Sequence, residues 1–338
     1  MKFAIIGSGT WGSALTQVLT DNGYDAIIYG KDQSQVDDIN NNHRNAYYFG
    51  NDIAFDPRIK ATSSLAEAVK DRDVIILSVP SAAFREVLGN LVPLLTKKTI
   101  FINTAKGFDT EKDSTLSTLL RELIPEEYRY PIVSLIGPSH AEEVIVRDLT
   151  CVCAVCTDLK IAYKIAECFS NSYFRVYPNN DEIGSELGVA MKNAIAIASG
   201  VLKGLNYGDN ARAALCTRGL AEMVKLGKSF GGRKTTYLGL TGLGDLIVTC
   251  YSFHSRNFTA GLKIGQDDSV EPFFATNTKT VEGIRTIKVI HEIAQEKGLE
   301  LPIIEALYKV VYEKQKPSEI VSKIMNRPIK EEYEREAK

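Results

Sequence analysis

At 338 residues, with 44% apolar and 24% charged residues, the chain has the composition of an ordinary soluble globular protein, long enough for one large and one smaller domain or for two equal ones. A formal net charge of -2, with no dense Lys/Arg block, lacks the electrostatic footprint of a nucleic-acid partner. The longest apolar runs, such as residues 74–79, fall far short of a membrane span, and Met1-Lys2 leads straight into a strand without a cleavable signal pattern, so a cytoplasmic location is expected.

In chain order, short β-type runs alternate with helical ones. FAIIG precedes a helix over 11–22, AIIYG one over 33–41, DVIILSVP one over 81–91, TIFINTAKG one over 114–123 and PIVSLIGP one over 139–146. Such alternation, with near-continuous apolar strands, predicts a mostly parallel sheet covered by helices on both faces. CVCAVC and FRVYP, flanking a helix over 159–169, extend the sheet. Cys153 and Cys156 have CxxC spacing, but no second Cys pair or His follows at zinc-site spacing, so a buried strand is the simpler reading and no metal is expected. The six cysteines are too scattered for a disulfide framework. Past Pro178 helical patterns take over, at 181–203, 211–228, 257–264, 282–297 and 303–314, with one further strand candidate at 245–250. The charged tail KEEYEREAK is expected to fray.

The stretch GSGTWG, Gly7 to Gly12, joins the first strand to the first helix. In that context Gly7 makes the turn, Gly9 lets the backbone approach a pyrophosphate, Gly12 lets helix and strand pack closely, and the helix N-terminus offers free N–H groups. The expected fold is therefore α/β: a Rossmann-like doubly wound, mostly parallel sheet followed by an all-α C-terminal domain. The dinucleotide-binding domain spans 1–179 and the helical substrate-binding and catalytic domain 180–338. At the tip of the second strand Lys31 leans toward the 2'-phosphate of NADP, while Asp32 leaves NAD open.

In the helical part, Ser185, Gly188, Val189, Ile195, Ala196 and Ser199 share the face of Lys192. A lysine with no acidic partner at i-4 or i+4 is either a snorkelling side chain or a desolvated general acid/base with a lowered pKa. Asp245, a lone carboxylate in GLTGLGDLIVTC, either pairs with Lys192 or caps a turn. In HSRNFTAG, Ser255 stands at an N-cap position with Arg256 and Asn257 in the first helical turn. Capping explains Ser255 and Asn257, but an arginine at the positive end of a helix calls for an anion such as a phosphate.

From Gly7 to about residue 325 the chain resembles the bacterial type of NAD(P)-dependent glycerol-3-phosphate dehydrogenase. The matching stretches are GSGTWG, NTAKGF, GPSHAEEV, VAMKNAIAIASG, GLTGLGDLIVTC, HSRNFTAG and TVEG. The resemblance implies reversible reduction of dihydroxyacetone phosphate to sn-glycerol 3-phosphate, the backbone of glycerophospholipids, with NAD or NADP as cofactor and NADPH slightly favoured. It implies Lys192 as the proton-transfer group, with Asp245 beside it as the catalytic pair. Lys106, Gly137, Ser139, Lys192, Asp245, Ser255, Arg256 and Asn257 are then the substrate site. Thr10, Trp11, Lys31, Tyr48, Lys106, Ala141, Arg256, Thr280 and Glu282, with Gly7, Gly9 and Gly12, are the cofactor site. The small substrate is the expected partner, and a homodimer is left open. Relatives of 6-phosphogluconate or 3-hydroxyacid dehydrogenases share the layout and a helical lysine, whereas a non-catalytic nucleotide sensor would lack Lys192 or Asp245. Two departures stand near the cleft: His140 replaces the more usual aromatic of GPSFA, and residues 267–281 are less regular than the helical stretch common before VEG.

Overall fold

The computed structural model describes residues 1–332; residues 333–338, the end of the KEEYEREAK tail and of the 180–338 region, lie outside the described residues. Eight strands form one sheet: β1 (Lys2–Ile6), β2 (Asp25–Tyr29), β3 (Lys60–Thr62), β4 (Val74–Leu77), β5 (Ile100–Asn103), β6 (Val133–Ile136), β7 (Thr150–Val155) and β8 (Phe174–Asn179). Their order is β3-β2-β1-β4-β5-β6-β7-β8. Every neighbouring pair is parallel except β6 and β7, where Ser134 lies opposite Val155 and Ile136 opposite Cys153.

The strands alternate their side chains between two cores. Phe3 and Ile5 face the layer containing Leu15, Val18 and Ile165, whereas Ala4 and Ile6 face the layer containing Phe84, Leu88 and Leu120. Because both faces are covered, β4, β5 and β6 are buried at every position, which is why they read as unbroken apolar runs. β3, a three-residue edge strand of sequence KAT, is too short to carry a periodicity in the sequence. Strand order reverses between β1 and β4, and the carboxyl ends of these two strands therefore open the crevice in which such sheets bind ligands. Cys153 and Cys156 are buried free thiols in and just after β7, each pushed up by burial, Cys153 to about 12 and Cys156 to about 11.

After β8 the chain enters a 23-residue helix, Glu182–Gly204, whose first turn is capped by the Asp181 carboxylate accepting from Gly184 N–H at 3.1 Å. This central helix is buried almost throughout and is wrapped by helices Asp209–Lys228, Asp245–Tyr251, Arg256–Gln266 and Glu282–Lys297. Its crossing with Arg256–Gln266 is backbone against backbone. A Cβ on Gly200 would lie 2.1 Å from Phe258 O, one on Gly204 2.3 Å from Leu262 O, one on Gly261 2.0 Å from Ile197 O and one on Gly265 2.3 Å from Val201 O.

Residues 245–250, the one strand candidate in this part of the chain, are helical: Asp245–Tyr251 follows a single π-helical turn, Leu240–Gly244. The β-branched run in DLIVTC suggested extended chain, but the buried residues Asp245, Leu246, Thr249 and Cys250 recur at helical spacing, and tertiary packing overrides local propensity. The 267–281 segment contains a short helix, Glu271–Thr276. Sheet and helices are stitched together by the buried Glu186 of the central helix, which accepts hydrogen bonds from the hydroxyls of Ser117 (2.9 Å) and Ser134 (2.8 Å). Phe108, four residues beyond Thr104 on the loop after β5, is buried in the core of the helical part.

Candidate active site

The glycine turn at the end of β1 has the form a dinucleotide requires. Gly7 has φ +122°, and a Cβ there would meet Ser78 O at 2.4 Å; a Cβ on Gly12 would meet Gly7 O at 2.1 Å. Gly9, by contrast, has nothing within 4 Å of an added Cβ, and as N-cap of helix Thr10–Asp21 it makes no side-chain cap bond. Two glycines are thus demanded by the protein's own packing, while the third faces open space beside uncapped helix N–H groups. That is the cradle expected for a pyrophosphate.

Across the crevice, Lys192 on the central helix and Lys106 just beyond β5 converge on one carboxylate. Lys192 Nζ lies 2.9 Å from Asp245 Oδ1 and 2.6 Å from Thr249 Oγ1. Lys106 Nζ lies 3.0 Å from Asp245 Oδ2 and donates to Gly137 O at 3.0 Å. Thr249 in turn donates to the Asp245 carbonyl at 2.6 Å, which leaves its lone pair aimed at Lys192. Asp245 is fully buried and Lys192 is 4% exposed. Burial pushes the Asp245 carboxyl up, but the Lys106 and Lys192 ammonium groups outweigh it and hold the group below its ordinary value. For Lys192 burial is the largest influence, and with the charge of Lys106 it brings the ammonium down to about 8 against the pull of Asp245. The expected Lys192–Asp245 pair is therefore present.

The third part is the N-terminus of helix Arg256–Gln266. Ser255 caps it, its hydroxyl accepting from Phe258 N–H at 3.2 Å, and the Asn257 carbonyl oxygen accepts from Gly283 N–H at 2.9 Å. The hydroxyl hydrogen of Ser255 and the amide NH2 of Asn257 keep their donor capacity. Arg256 is exposed in the first turn and makes no side-chain hydrogen bond or salt bridge among the described residues.

Comparison with known proteins places this arrangement. A family model described as the N-terminus of NAD-dependent glycerol-3-phosphate dehydrogenase matches residues 2–162, and one described as its C-terminus matches residues 181–322. The chain belongs to the NAD-dependent glycerol-3-phosphate dehydrogenase family. It is 44% identical to a glycerol-3-phosphate dehydrogenase (NAD(P)+) of an Exiguobacterium species over 98% of this chain and 97% of that one. It is 46% identical to the Streptococcus uberis enzyme of the same name over 98% of both chains. The crystal structure of glycerol-3-phosphate dehydrogenase from Coxiella burnetii superposes with a TM-score of 0.86 at 34% identity, covering 96% of this chain and 99% of that one.

The remaining residues expected in a glycerol-3-phosphate dehydrogenase site are distributed over the sheet side and the helical part. Gly137 has φ +153°, and a Cβ there would press on Val152 Cα at 3.0 Å. Ser139 donates to Gly137 O at 3.2 Å, and Ala141 opens the helix Ala141–Val144. Trp11 is half-buried and packs near Phe174, whose ring lies 6.5 Å away, while Tyr48 is half-exposed beside Tyr47. Lys31, at the tip of β2, pairs with Glu86 at 2.6 Å on the surface. Asp32 caps the next helix through Ser34 N–H. Thr280 is exposed, and Glu282 opens helix Glu282–Lys297, its carboxylate 3.4 Å from the Asn193 amide. Burial raises the Glu282 pKa against the opposing charges of Arg256, Lys192 and Lys106.

Reading the residues alone missed Thr249, Asn193 and His254. Thr249 stands four residues after Asp245, the spacing of one helical face, and is visible only once 245–250 is read as a helix. Asn193 adjoins Lys192 in sequence, yet only the fold brings it to Glu282. His254, beside the Ser255 cap, faces His140 with ring centroids 5.4 Å apart.

Proposed function

We propose that Lys192 transfers the proton in the reversible reduction of dihydroxyacetone phosphate to sn-glycerol 3-phosphate by this NAD(P)-dependent oxidoreductase. The observation that carries the reading is one buried carboxylate, Asp245, between two ammonium groups, Lys192 and Lys106. One positive charge is left over in this triad, with Asp245 and Lys192 buried and Lys106 partly exposed. When bound, the nicotinamide supplies or takes up the hydride. Reduction builds alkoxide character on the C2 oxygen, which Lys192 stabilises and protonates; in oxidation neutral Lys192 accepts that proton. Asp245 fixes both lysines, and the Thr249 hydroxyl orients Lys192.

Arg256, with the donors of Ser255 and Asn257 and the helix end, grips the substrate phosphate, and this binding energy orients C2. Lys106, Gly137 and Ser139 complete the substrate site from the sheet side. Gly7, Gly9, Thr10, Trp11, Gly12, Lys31, Tyr48, Lys106, Ala141, Arg256, Thr280 and Glu282 hold the cofactor, with Lys31 tilting the preference slightly to NADPH. In this division residues 1–179 bind the dinucleotide and 180–338 bind substrate and perform the proton transfer. No helix among the described residues is long and apolar enough to cross a membrane. The reading places the enzyme in the cytoplasm, with its small substrate and no nucleic acid as partner, its product supplying glycerophospholipid synthesis; a homodimer is the assembly that sedimentation tests.

The deciding assay follows nicotinamide absorbance with dihydroxyacetone phosphate and either reduced cofactor. Turnover is expected with the native chain and is lost in Lys192→Ala while cofactor binding persists; turnover by Lys192→Ala removes the assigned role.

A further inference from the structure

His140 and His254 sit on opposite walls of the crevice, His140 before the Ala141–Val144 helix of the sheet side and His254 immediately before Ser255 on the helical side. Their rings are 5.4 Å apart at 50°. The half-buried His140 ring has spent none of its hydrogen-bonding capacity on the protein: no side-chain hydrogen bond holds it, and its Nε2 is buried without a partner. A polar ring kept unpaired at a site has a cost that a ligand can repay. Its ring lies against His254, which immediately precedes Ser255, and it feels the charges of Lys106 and Lys192, the two groups that a small phosphorylated ketone spans to the helix end in the reading above.

We propose that His140, backed by His254, is an additional contact for the substrate phosphate that binds it as an imidazolium, so that the substrate enters together with a proton. The inference rests on the assignment of the phosphate to Ser255, Arg256 and Asn257.

The charges around the ring explain the direction. Burial is the largest influence and lowers the His140 pKa; Lys106, beyond β5, and Lys192, on the central helix, lower it further. Glu143 and Glu142, on its own helix, oppose them. Together these influences favour the neutral ring. A phosphate dianion beside it reverses the sign of the local field, cancels the two lysines and draws a proton from solvent onto the imidazole. An aromatic carbon ring at this position has no nitrogen to protonate and cannot do this.

The test is calorimetric titration of dihydroxyacetone phosphate, at neutral pH, into the protein saturated with NADP+, which cannot reduce it. Two buffers of different ionisation enthalpy report the protons taken up. His140→Phe is expected to take up fewer protons than the native chain and to bind about tenfold more weakly, converging with it at alkaline pH. His140→Gln, which keeps a neutral hydrogen bond, is expected to recover part of the affinity and none of the proton uptake. The ionisations of Lys192 and of the phosphate itself are common to all variants, and unchanged melting temperatures establish that the variants fold. Equal proton uptake by His140→Phe and the native chain overturns the inference. So does equal uptake with unphosphorylated dihydroxyacetone. If Arg256→Ala binds dihydroxyacetone phosphate as tightly as the native chain, the phosphate assignment fails and takes this inference with it. If Arg256→Ala weakens binding and His140→Phe does not, only the inference about His140 fails.

Discussion

Lys192 is an ammonium held near the point of losing its proton. Burial and the charge of Lys106 bring it down to about 8, and without Asp245 it would fall further. Oxidation of glycerol 3-phosphate needs the neutral amine, so its rate is expected to rise as pH climbs through about 8, whereas reduction needs the ammonium and falls across the same interval. Steady-state profiles in both directions check this; parallel profiles would remove Lys192 from the proton path. Lys31 makes a second prediction. Its pair with Glu86 offers a cation and a carboxylate at the tip of β2, one suited to a 2'-phosphate and the other to a 2'-hydroxyl. Lys31→Ala is expected to raise the KM for NADPH about tenfold and to leave that for NADH nearly unaltered. Lys192 was legible in the sequence because small and apolar residues surround it on its helical face. Lys106 and Glu282 were not, except by resemblance: Lys106 meets Asp245 across the crevice and Glu282 meets Asn193 from another helix, and no spacing within one element encodes either contact.

At the level of elements, the crossing of Glu182–Gly204 with Arg256–Gln266 sets Lys192 relative to Arg256 at the N-terminus of the second helix. Alanine in place of a helical glycine ordinarily stabilises by about 1 kcal/mol. At Gly261 the added Cβ would come within 2.0 Å of Ile197 O, backbone that cannot swing aside. Gly261→Ala is therefore expected to destabilise by about 1–3 kcal/mol net and to raise the KM for dihydroxyacetone phosphate, read by thermal melting and kinetics. A rise in melting temperature would show that the helices can part. The βαβ alternation made most of the sheet readable, since doubly covered strands are apolar at successive positions. The Asp245–Tyr251 helix was misread because its β-branched run mimics a strand, and its helical spacing shows only through which residues are buried. The approach of four glycines to the facing backbone was equally hidden, because glycine in a sequence does not say whether it bends the chain or admits another.

For the molecule as a whole, Glu222 links stability to pH. It lies on helix Asp209–Lys228 and accepts from Ile303 N–H at 2.7 Å and Ile304 N–H at 3.4 Å at the start of helix Pro302–Val311. Burial pushes its carboxyl up from 4.5 to about 7. The folded state thus binds the proton more tightly than the unfolded chain. Its contribution is fully present below about 4.5 and is lost as pH rises through about 7, a change on the order of 3 kcal/mol. Glu222→Gln is expected to flatten that part of the stability curve in chemical denaturation; an unchanged slope would count against it. The glycine crossing also reaches beyond stability. With two helix backbones in contact, the gap between the amine of Lys192 and the guanidinium end at Arg256 cannot be adjusted by sliding or rolling one helix on the other. The protein then behaves as a caliper set to one carbon chain length. A ketone phosphate with one extra methylene between carbonyl and phosphate is expected to lose about a hundredfold in kcat/KM, because a carbonyl oxygen displaced by about 1 Å no longer meets its proton donor. Comparable turnover of the longer compound would mean that the jaws have play.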